Sequence, residues 1–121
     1  MADDRQHPSL RAQQAAAAGR LDMRSQRDGD VHTIILAGEI DLANAADVER
    51  ELRGAEAGDA RVIRIDLSGL TFVDPTMIRL LVLADARSRA DGQRLALHRP
   101  SDPVLRVLRI AGVADRLPLT T

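Results

Sequence analysis

The sequence predicts a single α/β domain, a mixed sheet of four to five strands with three or four helices packed on it. Three observations predict it. The chain has 121 residues, 45% of them hydrophobic and 29% charged, the size and balance of one soluble domain around one core. Apolar runs of strand character alternate with stretches of helical period in the order β-β-α-β-α-β-α. That order is expected of a sheet whose later strands run parallel and are connected by helices. Asp-Gly and Asp-Pro pairs punctuate the runs where elements should stop and start.

Residues 1–20 are polar and Ala-rich and read as a flexible N-terminal arm. The domain proper is expected over 21–119. Leu21 to Arg27 alternates apolar and polar side chains, as a first strand does. Asp28-Gly29 signals a type I′ hairpin turn, and Val31 to Ile40 follows as a longer strand. The run Ile34-Ile35-Leu36 in its middle suggests burial on both faces. Asn44 is a suitable cap for a helix reaching about Ala57, with Val48 and Leu52 one turn apart on its inner side. Arg61 to Leu67 reads as a central strand, and Ser68 to Thr71 as a loop. Asp74 and Pro75 suit the cap and first position of a second helix, which Asp91-Gly92 should close near Ala90. Leu95 and Leu97 mark a short strand. Asp102-Pro103 repeats the helix start, and Val104, Leu105, Leu108 and Ile110 form one side of a third helix ending near Gly112. Val113 to Leu119 is a tail, read as a last helical turn or an edge strand.

Composition removes several function classes. The formal net charge is −1, unlike a general nucleic-acid or anionic-membrane binder. All basic residues are Arg and none is Lys, so Schiff-base chemistry has no residue to use. Phe72 is the one aromatic, too few for base stacking. With no Cys, thiolate chemistry and Cys-ligated zinc are excluded. No signal-peptide pattern opens the chain, and the apolar segment Met77–Ala84 is far short of a membrane span. A cytoplasmic protein with no membrane span, no nucleic-acid partner and no cofactor is expected.

Enzyme chemistry finds no constellation. His7, His32 and His98 lack metal or triad spacing, and Gly38 and Gly69 are isolated rather than part of a phosphate loop. Asp41, Asp66 and Asp74 sit at expected strand ends and could gather around Mg²⁺, as in a phosphoacceptor domain. Such domains also need a Lys, so capping and surface placement are the expected roles, with no metal and no catalytic residue.

Two segments stand out at the carboxyl ends of strands, where α/β sheets collect their sites: Gly38-Glu39-Ile40-Asp41, and Asp66 through Thr76. Together with the C-terminal stretch RLALHRPSDPVLRVLRIAGVADRL, their ordered spacing resembles the STAS domain, the fold of bacterial anti-sigma factor antagonists. The resemblance spans about residues 21–119. It implies a partner switch that binds a serine-kinase-type anti-sigma factor and is turned off when the kinase phosphorylates it. In the family, the modified hydroxyl follows the Asp that opens the second helix. That position is Pro75 here, and the family's Asp-Ser-Ser-Gly looks like Asp74-Pro75-Thr76-Met77. Pro75 cannot be phosphorylated, so Thr76 becomes the candidate displaced phosphosite, with plain helix capping as the competing reading. Along this helix, Met77, Leu80, Leu81 and Ala84 share one face, while Arg79, Leu83, Ala86 and Ala90 share the other. Leu83 beside Arg79 is therefore expected to be exposed. The expected partner-binding set is Glu39, Asp41, Asp74, Pro75, Thr76, Met77, Arg79 and Leu83. Oligomeric state is left open. The alternative within the resemblance is a structural STAS subunit of a lipid-transport or stress-sensing assembly, which needs no hydroxyl at position 75.

Overall fold

The computed structural model describes residues 20–121; most of the expected N-terminal arm therefore lies outside the described residues. Strands β1 (Leu21–Asp28) and β2 (Val31–Ile40) form an antiparallel hairpin. Helix α1 (Ala45–Ala57) leads to β3 (Val62–Val73), helix α2 (Pro75–Ala90) to β4 (Leu95–His98), and helix α3 (Asp102–Ile110) to β5 (Leu119–Thr120). The sheet order is β1-β2-β3-β4-β5, with β2 through β5 parallel.

Strand order equals chain order, and this fixes where the helices go. Each parallel connection is a crossover with one preferred hand, and every crossover here steps in the same direction. All three described helices are therefore laid on one face. Their buried side chains, Val48, Leu52, Met77, Leu81, Val104 and Leu108, join Ile34, Leu36, Ile63, Ile65, Leu67 and Leu97 in a single core. The strand residues of that core alternate with half-buried ones, as the two-residue pleat requires. Ile35 accordingly belongs to the opposite face, where it is half-buried beside the buried Thr33, so β2 is shielded on both sides, more completely on the helix side.

Several local expectations are corrected. The hairpin turn is Gly29-Asp30, since Asp28 still pairs with Val31. Gly29 has φ +59°, and Asp30 is not among the residues with positive φ, so the turn is not type I′, which needs positive φ at both central positions. Ser68 to Thr71 is strand, not loop: β3 runs on to Val73, with irregular register against β2 between Ile35 and Ala37 and again between Gly38 and Glu39. An apolar period broken by Ser-Gly hides a strand that continues through a bulge. Gly69 is needed there. A Cβ on it would lie 2.9 Å from Ala37 Cβ and 3.0 Å from the Leu36 carbonyl oxygen.

Helix caps also differ. Asn44 makes no side-chain cap to α1. Asp41 Oδ1 instead accepts from the N–H groups of Ala43 and Asn44 at 2.9 and 3.1 Å. Asn44 in turn accepts from Asp41 N–H and donates to the Glu39 carbonyl. At α3 the cap position is Ser101 rather than Asp102, and the Ser101 hydroxyl donates to the Leu70 carbonyl at 2.6 Å. Asp74 does cap α2, accepting from Thr76 N–H at 2.8 Å, and α2 ends at Ala90 as expected. Ile110 is 80% exposed, because α3 turns Val104 and Leu108 to the core and leaves its last residue beyond it. The C-terminal tail provides β5, the edge strand.

Candidate functional site

At the carboxyl rim of the sheet, β2 and β3 end side by side. Glu39 is in register with Phe72 and Ile40 with Val73, so the Glu39–Asp41 and Phe72–Asp74 segments leave the sheet as neighbours. The rim is held by short polar links. Thr71 Oγ1 donates to the Gly38 carbonyl at 3.1 Å, and Ser101 ties β3 to the start of α3. The Asp41–Asn44 clasp fixes the exit of β2. The launch of α2 is set by Asp74, which is extended at φ −99°, ψ 175°, and by Pro75 in the first turn. Pro has no N–H to leave unsatisfied there.

From this launch a stripe of exposed residues descends α2. Pro75, Arg79 and Leu83 are each four residues apart and all exposed, and Ala86 and Ala90 continue the line. Leu83 is 47% exposed, and Arg79 has no ion pair among the described residues. Met77, expected in the partner-binding set, is only 1% exposed. Its side chain belongs to the core face, as its grouping with Leu80, Leu81 and Ala84 implied, so it supports the rim and cannot touch a partner. Thr76 is half-buried; its N–H is taken by Asp74.

Two rim residues escaped the sequence reading. Leu42, in the turn after β2, is 75% exposed, and Phe72 is 49% exposed. Both belong to the end of the sheet where β2 and β3 leave it, and exposed apolar area gathered at one site marks an interaction surface. The signal was present: an apolar Leu inside a turn, and the chain's lone aromatic just ahead of a helix start.

The three carboxylates considered for Mg²⁺ are used locally. Asp41 and Asp74 hold the turns described above, and Asp66 accepts from Ser68 N–H and Oγ at 2.9 and 2.6 Å. No described helix is long and apolar enough to cross a membrane.

Comparison with known proteins places this geometry. The family model described as "Mlab, STAS domain" matches residues 23–121. The chain is 33% identical over 90 residues to the anti-sigma-B factor antagonists of Listeria monocytogenes and Listeria innocua, covering 74% of this chain and 79% of each relative. Among solved structures, it is similar to an anti-sigma factor antagonist from Mycobacterium paratuberculosis, with TM-score 0.76 and 18% identity over 86% of this chain and 88% of that one. It is also similar to the Bacillus cell fate determinant SpoIIAA in its phosphorylated form, with TM-score 0.64 and 20% identity over 83% and 92% of the two chains. At such identities the structures speak for the fold alone. The ordered β-β-α-β-α-β-α-β chain, its sequential mixed sheet and the family model agree: this chain belongs to the STAS domain family.

Proposed function

We propose that the chain is a non-catalytic regulator of the anti-sigma factor antagonist type, one that docks onto a serine-kinase-type anti-sigma factor through the carboxyl rim of its sheet. The docking surface comprises Glu39, Leu42, Phe72, Pro75, Thr76, Arg79 and Leu83, with Asp41 and Asp74 shaping it from beneath. The observation that carries this reading is the exposed stripe on α2 together with two further exposed apolar residues, Leu42 and Phe72, in the segments that leave β2 and β3. Burying such anchors is what gives a protein interface its energy, while the charges around them set orientation.

Pro75 shapes the switch. A phosphate brings about −1.5 to −2 charge, and the free N–H groups of a helix N-terminus tolerate it locally. Added to a docking face, it repels an acidic partner and must be desolvated. Position 75 cannot carry it, so Thr76 in the same first turn is the acceptor in this reading. The test is to incubate the purified chain with ATP and each small histidine-kinase-like ATPase of its source cell, then follow complex formation by gel filtration and modification by mass spectrometry. A stable complex and a phosphate on Thr76 that disappears in Thr76→Ala are expected. Label that survives in Thr76→Ala removes Thr76 from the switch, and failure of every such ATPase to bind removes the antagonist reading.

The hydroxyl-free Pro75 favours one second reading, a structural subunit of a transport or stress-sensing assembly. That reading expects co-purification with transporter ATPase subunits and no phosphate on the chain.

A further inference from the structure

Helix α3 carries apolar side chains on two sides, and only one of them meets the core. Val104 and Leu108 are buried, whereas Leu105 is half-buried and Ile110 is 80% exposed, the highest exposure of any large apolar side chain among the described residues. At about 100° per residue, Arg106 points directly away from Val104 and Leu108, with Ile110 to one side of it and Arg109 to the other. Asp102, Leu105, Arg106, Arg109 and Ile110 line a shallow open concavity on this outer face. The guanidiniums of Arg106 and Arg109 are exposed and have no ion pair or side-chain hydrogen bond among the described residues. Of the arginines on α1 and α2, all but Arg79 of the docking rim are paired with a carboxylate, Arg87 with Glu56 at 3.0 Å and Arg89 with Asp85 at 3.1 Å among them. Asp85 and Arg89 are one turn apart; Asp102 stands at the same spacing before Arg106, without forming such a pair.

We propose that the outer face of α3 docks an acidic amphipathic helix of another protein. Its carboxylates would meet Arg106 and Arg109, and an apolar side chain between them would cover Ile110 and Leu105. Arg106 and Arg109 are three residues apart, so they match acidic residues one turn apart on a facing helix, and a guanidinium grips a carboxylate with two parallel bonds. Charge and area narrow the occupant. Residues 99–121 hold four Arg against two Asp in a chain of net charge −1, so this end is its basic pole. A second copy docked by the same face would set Arg106 and Arg109 against themselves. Anionic lipid calls for about 4–8 clustered basic residues or a broad apolar face; α3 has nine residues and one fully exposed apolar side chain. The face shares no residue with the docking rim, and neither kinase nor phosphate enters its test.

The probe is a fluorescein-labelled amphipathic peptide of about 20 residues, long enough to be helical, with leucines along one face and glutamates flanking them. A counterpart carries lysine in place of every glutamate. Fluorescence anisotropy with the full chain is expected to show binding of the acidic peptide and none of the basic one. Arg106→Glu with Arg109→Glu should weaken binding by roughly tenfold or more, and Ile110→Ser severalfold. Arg61→Gln, which removes an exposed charge elsewhere, should leave it unchanged. All three α3 side chains project into water, so circular dichroism should not change; Arg106→Gln with Arg109→Gln repeats the test should charge reversal unsettle the helix. Four results overturn the proposal. They are no binding of the acidic peptide, equal binding of both peptides, affinity that survives loss of both arginines, and an equal loss in Arg61→Gln. Two others replace the occupant and overturn it as well: sedimentation with phosphatidylglycerol vesicles that Arg106→Glu abolishes, or a dimer in gel filtration that Ile110→Ser dissolves.

Discussion

At the amino ends of the parallel strands, the polar groups are bound up with one another. Arg94, just before β4, donates to the carbonyls of Ala60, Glu56 and Gly58 at 2.8, 3.0 and 2.9 Å and to Asp91 at 2.8 Å. It thereby closes the C-terminus of α1, whose last carbonyls have no partner within the helix. Arg87 clamps Glu56 through two bonds of 3.0 Å, a fork-on-fork geometry stronger than a single ionic contact. At the carboxyl ends, the side chains of Glu39, Arg79 and Leu83 have no described partner, and Leu42 and Phe72 stand in water. One end uses its polar groups to lock helices to strands. The other ties its turns with Asp41, Asn44, Thr71, Asp74 and Ser101 yet leaves Glu39, Arg79 and its exposed apolar residues available, and that contrast shows where recognition can occur without unpicking the fold.

The contrast can be broken or sharpened by substitution. Arg94→Ala should cost about 1–2 kcal/mol of unfolding free energy, because three carbonyls, that of buried Ala60 among them, lose their donor at once, with partner affinity unchanged; urea titration and a binding isotherm measure the two. A loss of binding instead would erase the division between the ends. Leu83→Glu should do the reverse. Stability should stay within about 0.5 kcal/mol, while affinity for the docking partner falls by roughly thirtyfold, about 2 kcal/mol, as for an interface anchor. Asp74→Ala sits between them, removing the α2 cap for about 1 kcal/mol and weakening binding only modestly. The smallest effect is at the locked end. Arg27 holds the Asp59 carboxyl below its ordinary value through a hydrogen bond and its charge. A lowered folded-state value stabilises the fold above the ordinary carboxylate range and is lost as pH falls through the folded-state value. Arg27→Ala should raise the Asp59 titration seen by NMR and shift the acid limb of stability slightly, since the pair is exposed.

Much of this fold was legible because its signals are local. The α2 launch at Asp74-Pro75 and its stop near Asp91-Gly92 were readable from three or four residues each, and so was the inner stripe of Met77, Leu80, Leu81 and Ala84. What was missed depends on residues distant in sequence. Nothing near Gly58 announces that Arg94, 36 positions on, will close α1. The continuation of β3 through Ser68-Gly69 depends on Ala37 lying against Gly69, a fact of pairing and not of propensity. The docking stripe was half legible: Leu83 and Arg79 followed from helical period. Phe72 needed β3 to be a strand before its place beside Glu39 could be known. Met77 was assigned both to the core face and to the partner set, and only burial decides between them.

Sequential strand order has a consequence for synthesis. Each new strand pairs with the one made just before it, so the nascent chain can grow its sheet outward from the hairpin as it leaves the ribosome, with no early strand waiting for a late one to be inserted at its side. Contacts that form between chain neighbours close small loops and fold early. A transcript cut short within the last few codons forfeits only the two-residue β5, whereas one that lacks the opening hairpin has no sheet on which to build.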